Sequence, residues 1–196
     1  IFMKSIENNF DEPQVNDLLT KHFIELRSVS PKGSTHVLDI PGLKDPTIRF
    51  WSLWEGKELV GCGALKLLEK NHGEFKSIRV ADKFRKNGMG EKIISHLIDQ
   101  AKQIGIKKLS TETGAGEFFG PARKLFKKFG FKKCKPFAHY KEDPNSCYYN
   151  LGCTDVTALN YDGDADHDDG TCCYVGGCTN SSAFNYDSSA CFDDGT

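Results

Sequence analysis

Residues 74–104 read E-F-K-S-I-R-V, A-D-K-F, R-K-N-G-M-G and E-K-I-I-S-H-L-I-D-Q-A-K-Q-I, and this run decides the fold. Its first seven residues are strand-like. Met89, Ile93, Ile94, Leu97, Ile98, Ala101 and Ile104 then recur at helical spacing, so the piece from Gly88 to Ile104 predicts a helix with one buried face. Gly105 stops it. Strand, glycine turn, helix N-terminus is a geometry that binds phosphates. Gly88 and Gly90 let the backbone come close, while unpaired first-turn amides and the helix dipole point at the anion. Arg85 and Lys86 add positive charge at the same place. The spacing R-x-x-G-x-G is neither the Walker pattern nor the dinucleotide fingerprint, because the following lysine and serine or threonine are missing and the glycines are too few.

Upstream, Ile1 to Ile6 reads as a first strand, and the stripe Val15, Leu18, Leu19, Phe23, Ile24, Leu26 as a helix with Pro13 in its first turn. Ser28 to Asp45 carries Pro31, Gly33, Pro41 and Gly42, breaks regular structure, and suits an acceptor-binding loop. Ile48 to Trp54 and Glu58 to Leu68 form a β-hairpin around Glu55-Gly56-Lys57, and Gly73 to Val80 follows as the next strand. Downstream come a strand in I-K-K-L-S-T-E-T, a helix in A-R-K-L-F-K-K-F ended by Gly130, and strands in F-K-K-C-K and C-Y-Y-N-L around E-D-P-N-S. The order β-α-β-β-β-α-β-α-β-β implies an α/β (α+β) domain, a mixed sheet flanked by helices.

The formal charge of −1 conceals a split. Residues 1–150 hold all 26 Lys and Arg against 18 Asp and Glu, a net of +8, whereas 151–196 hold nine Asp and no Lys, Arg or Glu, a net of −9. Two units are therefore expected, 1–151 and 152–196, the second small and irregular. No run approaches the roughly 18 apolar residues of a membrane span, and the first residues lack the layout of a signal peptide, which points to the cytoplasm. The cysteine-rich second unit argues instead for an oxidising compartment. Nothing points to nucleic acid or a membrane as partner.

The strand, R-x-x-G-x-G, helix, strand series closed by A-R-K-L-F-K-K-F-G-F resembles the GNAT superfamily of N-acetyltransferases, over about residues 3–151. More narrowly, F-W-S-L-W-E-G, G-C-G-A-L-K, H-G-E-F-K-S-I-R, T-E-T-G and E-D-P-N-S resemble a group of small bacterial acetyltransferases. The resemblance implies acetyl-coenzyme A as cosubstrate. It places the pyrophosphate on the backbone of Lys86, Asn87, Gly88, Met89 and Gly90 beside Arg85, and the pantetheine arm along Ile78, Arg79 and Val80, with the Ile78 N–H facing the thioester oxygen. Phe119, Arg123 and Phe126 would flank the thiol end.

Acetyl transfer to an amine needs an unprotonated nucleophile, a polarised carbonyl and a proton for the leaving thiolate. Glu74, at the start of one central strand, and Glu112, at the end of the next, are candidate bases looking into the cleft where the strands part, with pKa raised by desolvation. His22 and His36 are candidate acceptor contacts. Trp51 and Trp54, three apart on one strand, face opposite sides and read as packing, and Cys62 as a small buried hydrophobe. The family's usual tyrosine is replaced by Phe126, and a frequent asparagine by Phe119. Tyr140 is then the nearest substitute acid by topology.

From Gly152 the chain repeats at a period of 25 residues, G-C-T-D-V-T-A-L-N-Y-D and G-C-T-N-S-S-A-F-N-Y-D, resembling Cys- and Asp-rich repeats of marine bacterial surface proteins. The second copy is expected to be truncated, leaving at least one of five cysteines unpaired, with Cys153–Cys172 the favoured disulfide. Asp162, Asp164, Asp166 and Asp168 at alternate positions suit Ca²⁺, although the Gly and Glu of an EF-hand are absent. Two functions follow: a transferase moving acetyl to an amine of a small molecule or peptide, or a secreted or surface binding protein whose repeats carry the function on a degenerate scaffold.

Overall fold

The computed structural model describes residues 3–69 and 71–152, together with 157, 158, 172, 174–178, 185, 186, 188, 192 and 193 of the repeats. Strand β1 (Met3–Glu7) leads into helix α1 (Pro13–Val29), with proline in its first turn and Val15, Leu18, Leu19 and His22 on the buried face. The segment expected to lack regular structure contains one helical turn, α2 (Ile40–Leu43), because the Asp39 carboxylate accepts from the Gly42 amide at 2.8 Å and caps it. Hairpin strands β2 (Ile48–Glu55) and β3 (Glu58–Glu69) follow, then β4 (His72–Val80) and α3 (Met89–Gln103). The chain continues through β5 (Lys108–Gly114), α4 (Gly120–Lys128), β6 and β7 (Ser146–Leu151). Strand β6 is shorter than its sequence suggests, only Lys132–Lys133.

The sheet order is β1-β2-β3-β4-β5-β7-β6. Its pairs are antiparallel except β4 and β5, which run parallel. Helices α3 and α4 cover one face over a core that includes Trp51, Leu65, Phe75, Ile93, Leu97, Phe126 and Tyr149. Helices α1 and α2 cover the other, over Phe10, Val15, Leu19, Phe50, Trp54 and Cys62. The two tryptophans thus do face opposite ways. Burying Ile93, Ile94 and Leu97 completely stabilises the α3 face by roughly 1.5–3 kcal/mol each.

Among the repeat residues, β8 (Gly176–Gly177) pairs in parallel with β9 (Phe192–Asp193). Cys172 is disulfide-bonded. Its expected partner Cys153, and the aspartates 162, 164, 166 and 168, lie outside the described residues. Among the described residues no helix is long and apolar enough to cross a membrane.

Candidate active site

β4 and β5 pair only from His72 with Lys108 to Phe75 with Thr111. Beyond that point they splay, and β4 from Lys76 to Val80 keeps β3 on one side and no strand on the other. The ladder to β3 also slips between Cys62, opposite Arg79, and Ala64, opposite Lys76. Ser77 sits in this bulge at φ +51°, a left-handed conformation uncommon for a side chain with Cβ. The bulge and the splay turn backbone groups of residues 76–80 away from the sheet and toward an open cavity of about 570 Å³.

One end of the cavity is the glycine turn. Lys86 (φ +63°) and Gly88 (φ +72°) are both left-handed, Gly88 is the N-cap of α3, and no side chain caps the helix. A Cβ built on Gly88 would meet nothing within 4 Å, so the turn leaves open room beside uncapped amides. Arg85 and Lys86 line the same space. Concave backbone amides, a helix N-terminus and two cations suit a pyrophosphate. Gly90 has a second duty: its Cβ would lie 2.9 Å from Leu125 of α4, so the glycine also lets the two helices touch.

At the other end Glu112 lines the cavity from the splayed tip of β5. It accepts a hydrogen bond from the Ser146 hydroxyl at 2.7 Å. Burial raises its pKa above the ordinary carboxylate range, against the opposing pull of that hydrogen bond and of the Lys76 charge. Lys76 lines the cavity too, pinned by Glu74 Oε1 at 3.1 Å and by the Tyr140 oxygen at 2.7 Å. On the α1 side His22 and His36 complete the wall. Burial and the charges of Arg79 and Arg85 lower His22 to about 4. His36 is lowered by burial and then Lys76, and its ring meets Tyr140 edge-on at 4.9 Å.

Of the residues singled out in the sequence, His22, His36, Glu112 and Phe126 line this one cavity. So do Ile78, Arg79, Val80, Arg85, Lys86, Gly88, Met89, Gly90 and Phe119. Four do not. Glu74 was expected to look into the cleft, but it is wholly buried, its Oε1 accepting from Lys76 and Tyr140, and it is absent from the described lining. Tyr140 was expected as the substitute acid. Its hydroxyl instead donates to Glu74 at 2.5 Å on the far side of the sheet, and burial and the Glu74 charge push its pKa far above the phenol range. Arg123 donates to the carbonyls of Gly114 (2.6 Å) and Gly116 (2.8 Å), which fixes the loop entering α4. Asn87, at the exposed tip of the turn, is not among the described lining residues. Sequence reading missed Lys76, Ser77 and Ser146. Lys76 was reachable, since period-two alternation puts it on the face of Glu74, whereas the bulge at Ser77 leaves no mark in residue type.

Cys62 is wholly buried, and desolvation pushes its thiol up to about 12, so it is a packing residue. Phe126 packs against Phe131 at 5.7 Å and Tyr149 at 6.2 Å, with one edge in the cavity.

Comparison with known proteins bears on this geometry. Residues 13–131 match the family model described as the acetyltransferase (GNAT) family. A Bacillus subtilis protein named uncharacterized N-acetyltransferase YsnE is 46% identical over 135 residues, covering 69% of this chain and 89% of its own length. The Escherichia coli uncharacterized N-acetyltransferase YedL is 40% identical over 144 residues, covering 74% and 91%. Among solved structures, a GNAT family acetyltransferase from Elizabethkingia anophelis with acetyl-CoA bound superposes with a TM-score of 0.53 at 20% identity. That match covers 76% of this chain and 97% of the other and shows a shared fold.

Proposed function

Because the chain belongs to the acetyltransferase (GNAT) family, we propose that it moves the acetyl group of acetyl-coenzyme A to an amine of a small molecule or peptide, by direct attack in a ternary complex. One observation carries this reading: a single cavity joins the uncapped glycine turn to a desolvated carboxylate across the splay of β4 and β5. The cosubstrate supplies the thioester. The amides of 86–90 with Arg85 and Lys86 hold its pyrophosphate, and the backbone of Ile78 and Val80 holds its arm. The Ile78 N–H polarises the carbonyl as negative charge develops on it. Phe119 and Phe126 shield the thiol end from water, while Arg123 keeps their loop in place.

Glu112 serves as general base, directly or through a water, because a carboxylate with a raised pKa accepts a proton more readily near neutral pH. The amine lone pair then forms the C–N bond, the C–S bond breaks, the amine proton passes to Glu112, and the thiolate takes its proton from water. Phe126 has none to give. Glu74 and Tyr140 act one layer deeper, by holding Lys76 in the cavity wall. The rival reading as a binding protein, with or without Ca²⁺, rests on repeat residues and gains nothing from these comparisons.

The test is a screen of amines and amino acids with acetyl-coenzyme A, following thiol release. At least one amine should accelerate release, and Glu112→Gln should lower kcat on that amine by about 10²–10⁴-fold with coenzyme A affinity held. If no amine accelerates release, the transferase reading is wrong. Wild-type rates in the Gln variant would move the base elsewhere.

A further inference from the structure

The net charge of +8 on residues 1–150 comes from one stretch. Residues 118–141 hold eight Lys and Arg and no Asp or Glu, while the rest of 1–150 balances at 18 against 18. In the fold this stretch is α4, β6 and the loop that follows. Lys124, Lys127, Lys128, Lys132, Lys133 and Lys135 are all exposed. Among the described residues, Lys128 pairs with Glu91 at 2.6 Å and no acidic group meets the other five. Lys133 stands opposite Tyr149 of the α3 and α4 core, so it shares the face of the sheet that α4 covers and continues the α4 lysines into one patch.

Each lysine has a local reason to be there. Lys127 and Lys128, in the last turn of α4, suit the helix dipole, and Lys132 and Lys133, on an edge strand, discourage pairing with another sheet. None of these reasons forbids a carboxylate nearby. A solvated face ordinarily mixes both signs, and Lys124 stands three and four residues before Lys127 and Lys128, a spacing at which like charges repel on one helix face. Eight cations without one anion favour an anionic cover.

That cover is available in the same chain. Residues 151–196 hold nine Asp and no Lys or Arg. They also start where the patch is. β7 lies between β5 and β6, with Leu151 paired to Leu109 and Asn150 to Lys132, so the chain leaves the sheet beside Lys132 and one residue from Lys108. Asp155 and Asp162 follow four and eleven residues after Leu151, and an extended chain covers roughly 3.3 Å per residue, which brings α4 within reach. A tether this short holds the two charges at millimolar effective concentration. Many opposed charges then act together, where a single exposed pair would contribute little.

We propose that the acidic repeats, residues 153–196, dock on the lysine face of α4 and β6 of their own chain. The contact is built from exposed ion pairs and is therefore salt-sensitive. It neutralises the unbalanced surface of the first unit and keeps other polyanions off it. None of the six exposed lysines lines the cavity, so the docking surface is separate from the candidate active site and does not depend on acetyl transfer.

The experiment treats the full chain, at low micromolar concentration, with a water-soluble carbodiimide, which joins a carboxylate to an amine only where the two touch, and maps the bonds by mass spectrometry. Because 151–196 contain no lysine, every bond from a repeat aspartate to a lysine crosses to 1–150. At low ionic strength, bonds to Lys124, Lys127, Lys132 and Lys133 should outnumber, at least fivefold per lysine, those to the likewise exposed Lys4, Lys21 and Lys57. The excess should vanish at 1 M salt, where screening acts within about 3 Å. A second measurement needs no lysine amine. Combining Lys124→Gln, Lys127→Gln, Lys132→Gln and Lys133→Gln should speed cleavage of the repeats by an Asp-specific protease at least fivefold at low salt, whereas Arg at the same four positions should keep the wild-type rate. Bonds spread evenly over the exposed lysines, or cleavage indifferent to the Gln variant, overturn the proposal. Bonds that join two chains and increase with protein concentration also overturn it, by giving the patch to the repeats of a second copy.

Discussion

Phe126 stands where the resemblance leads one to expect a phenol, and it is buried against Phe131 and Tyr149 with an edge in the cavity. A coenzyme A thiol has a pKa near the roughly 8.5 of cysteine, so its thiolate can leave without an acid, only more slowly. Phe126→Tyr should therefore raise kcat several-fold, bounded by the roughly 10²-fold lower end of general-acid effects, and leave coenzyme A affinity alone. Steady-state kinetics with calorimetry reads both, and an unchanged kcat would mean proton supply to sulfur is never limiting. His22 yields a second prediction at this scale. Its pKa falls from the ordinary 6.5 to about 4 on folding, first because it is desolvated. Between those values the unfolded chain binds a proton that the folded one refuses, so stability is intact above pH 6.5 and is lost as pH falls toward 4. The loss approaches about 3 kcal/mol. Urea unfolding between pH 7 and 4 should show a steeper loss in wild type than in His22→Gln, because His36 and His96, also lowered by burial, keep part of the slope in both.

At the scale of elements, the glycine turn is where local conformation and binding are most tightly joined. Gly88 is exposed and its missing Cβ faces open space, so protein packing does not explain the glycine; its φ of +72° does. Valine there would sit in a conformation β-branched residues avoid, and would fill the space beside the uncapped amides. Gly88→Val should weaken coenzyme A binding more than tenfold by calorimetry while lowering stability by only about 1–2 kcal/mol. A Kd within twofold of wild type would remove the turn from the binding site. This element was legible because its signals agree: helical periodicity, glycines at the cap and stop, and cations at the anion end. The hairpin and α1 were legible for the same reason. What the residues hid was register. Nothing in K-S-I-R announces a bulge, so Ser77 is not singled out in the sequence, and Glu74 is expected in the cleft although Lys76 and Tyr140 cover it. Its neighbour Phe75 already belonged to the core, and strict alternation would have put Glu74 and Lys76 together on the other side. Tyr140 and Arg123 were misplaced because their partners, Glu74 and the carbonyls of Gly114 and Gly116, are distant in sequence or belong to the backbone.

For the molecule as a whole, the decisive fact is where the site's residues end. The cavity lining runs from His22 to Phe126, and the sheet that holds it closes with β7 at Leu151. Among the described residues, removing 152–196 therefore removes no lining residue and no strand of that sheet. It does change the electrostatics. The whole chain carries −1, whereas residues 1–151 alone carry +8, because all nine aspartates of the remainder go. Coenzyme A is an anion, and a basic surface raises its local concentration through a field that salt screens over about 10 Å at 0.1 M. A chain ending at Leu151 should then fold, retain turnover within twofold, and bind coenzyme A about twofold to tenfold more tightly at low ionic strength. The gain should fade as salt is raised toward 1 M. Calorimetry across a salt series separates the outcomes: a gain that persists at high salt would mean the acidic repeats act by contact and not by charge. Loss of binding in a folded 1–151 chain would show that the repeats complete the site.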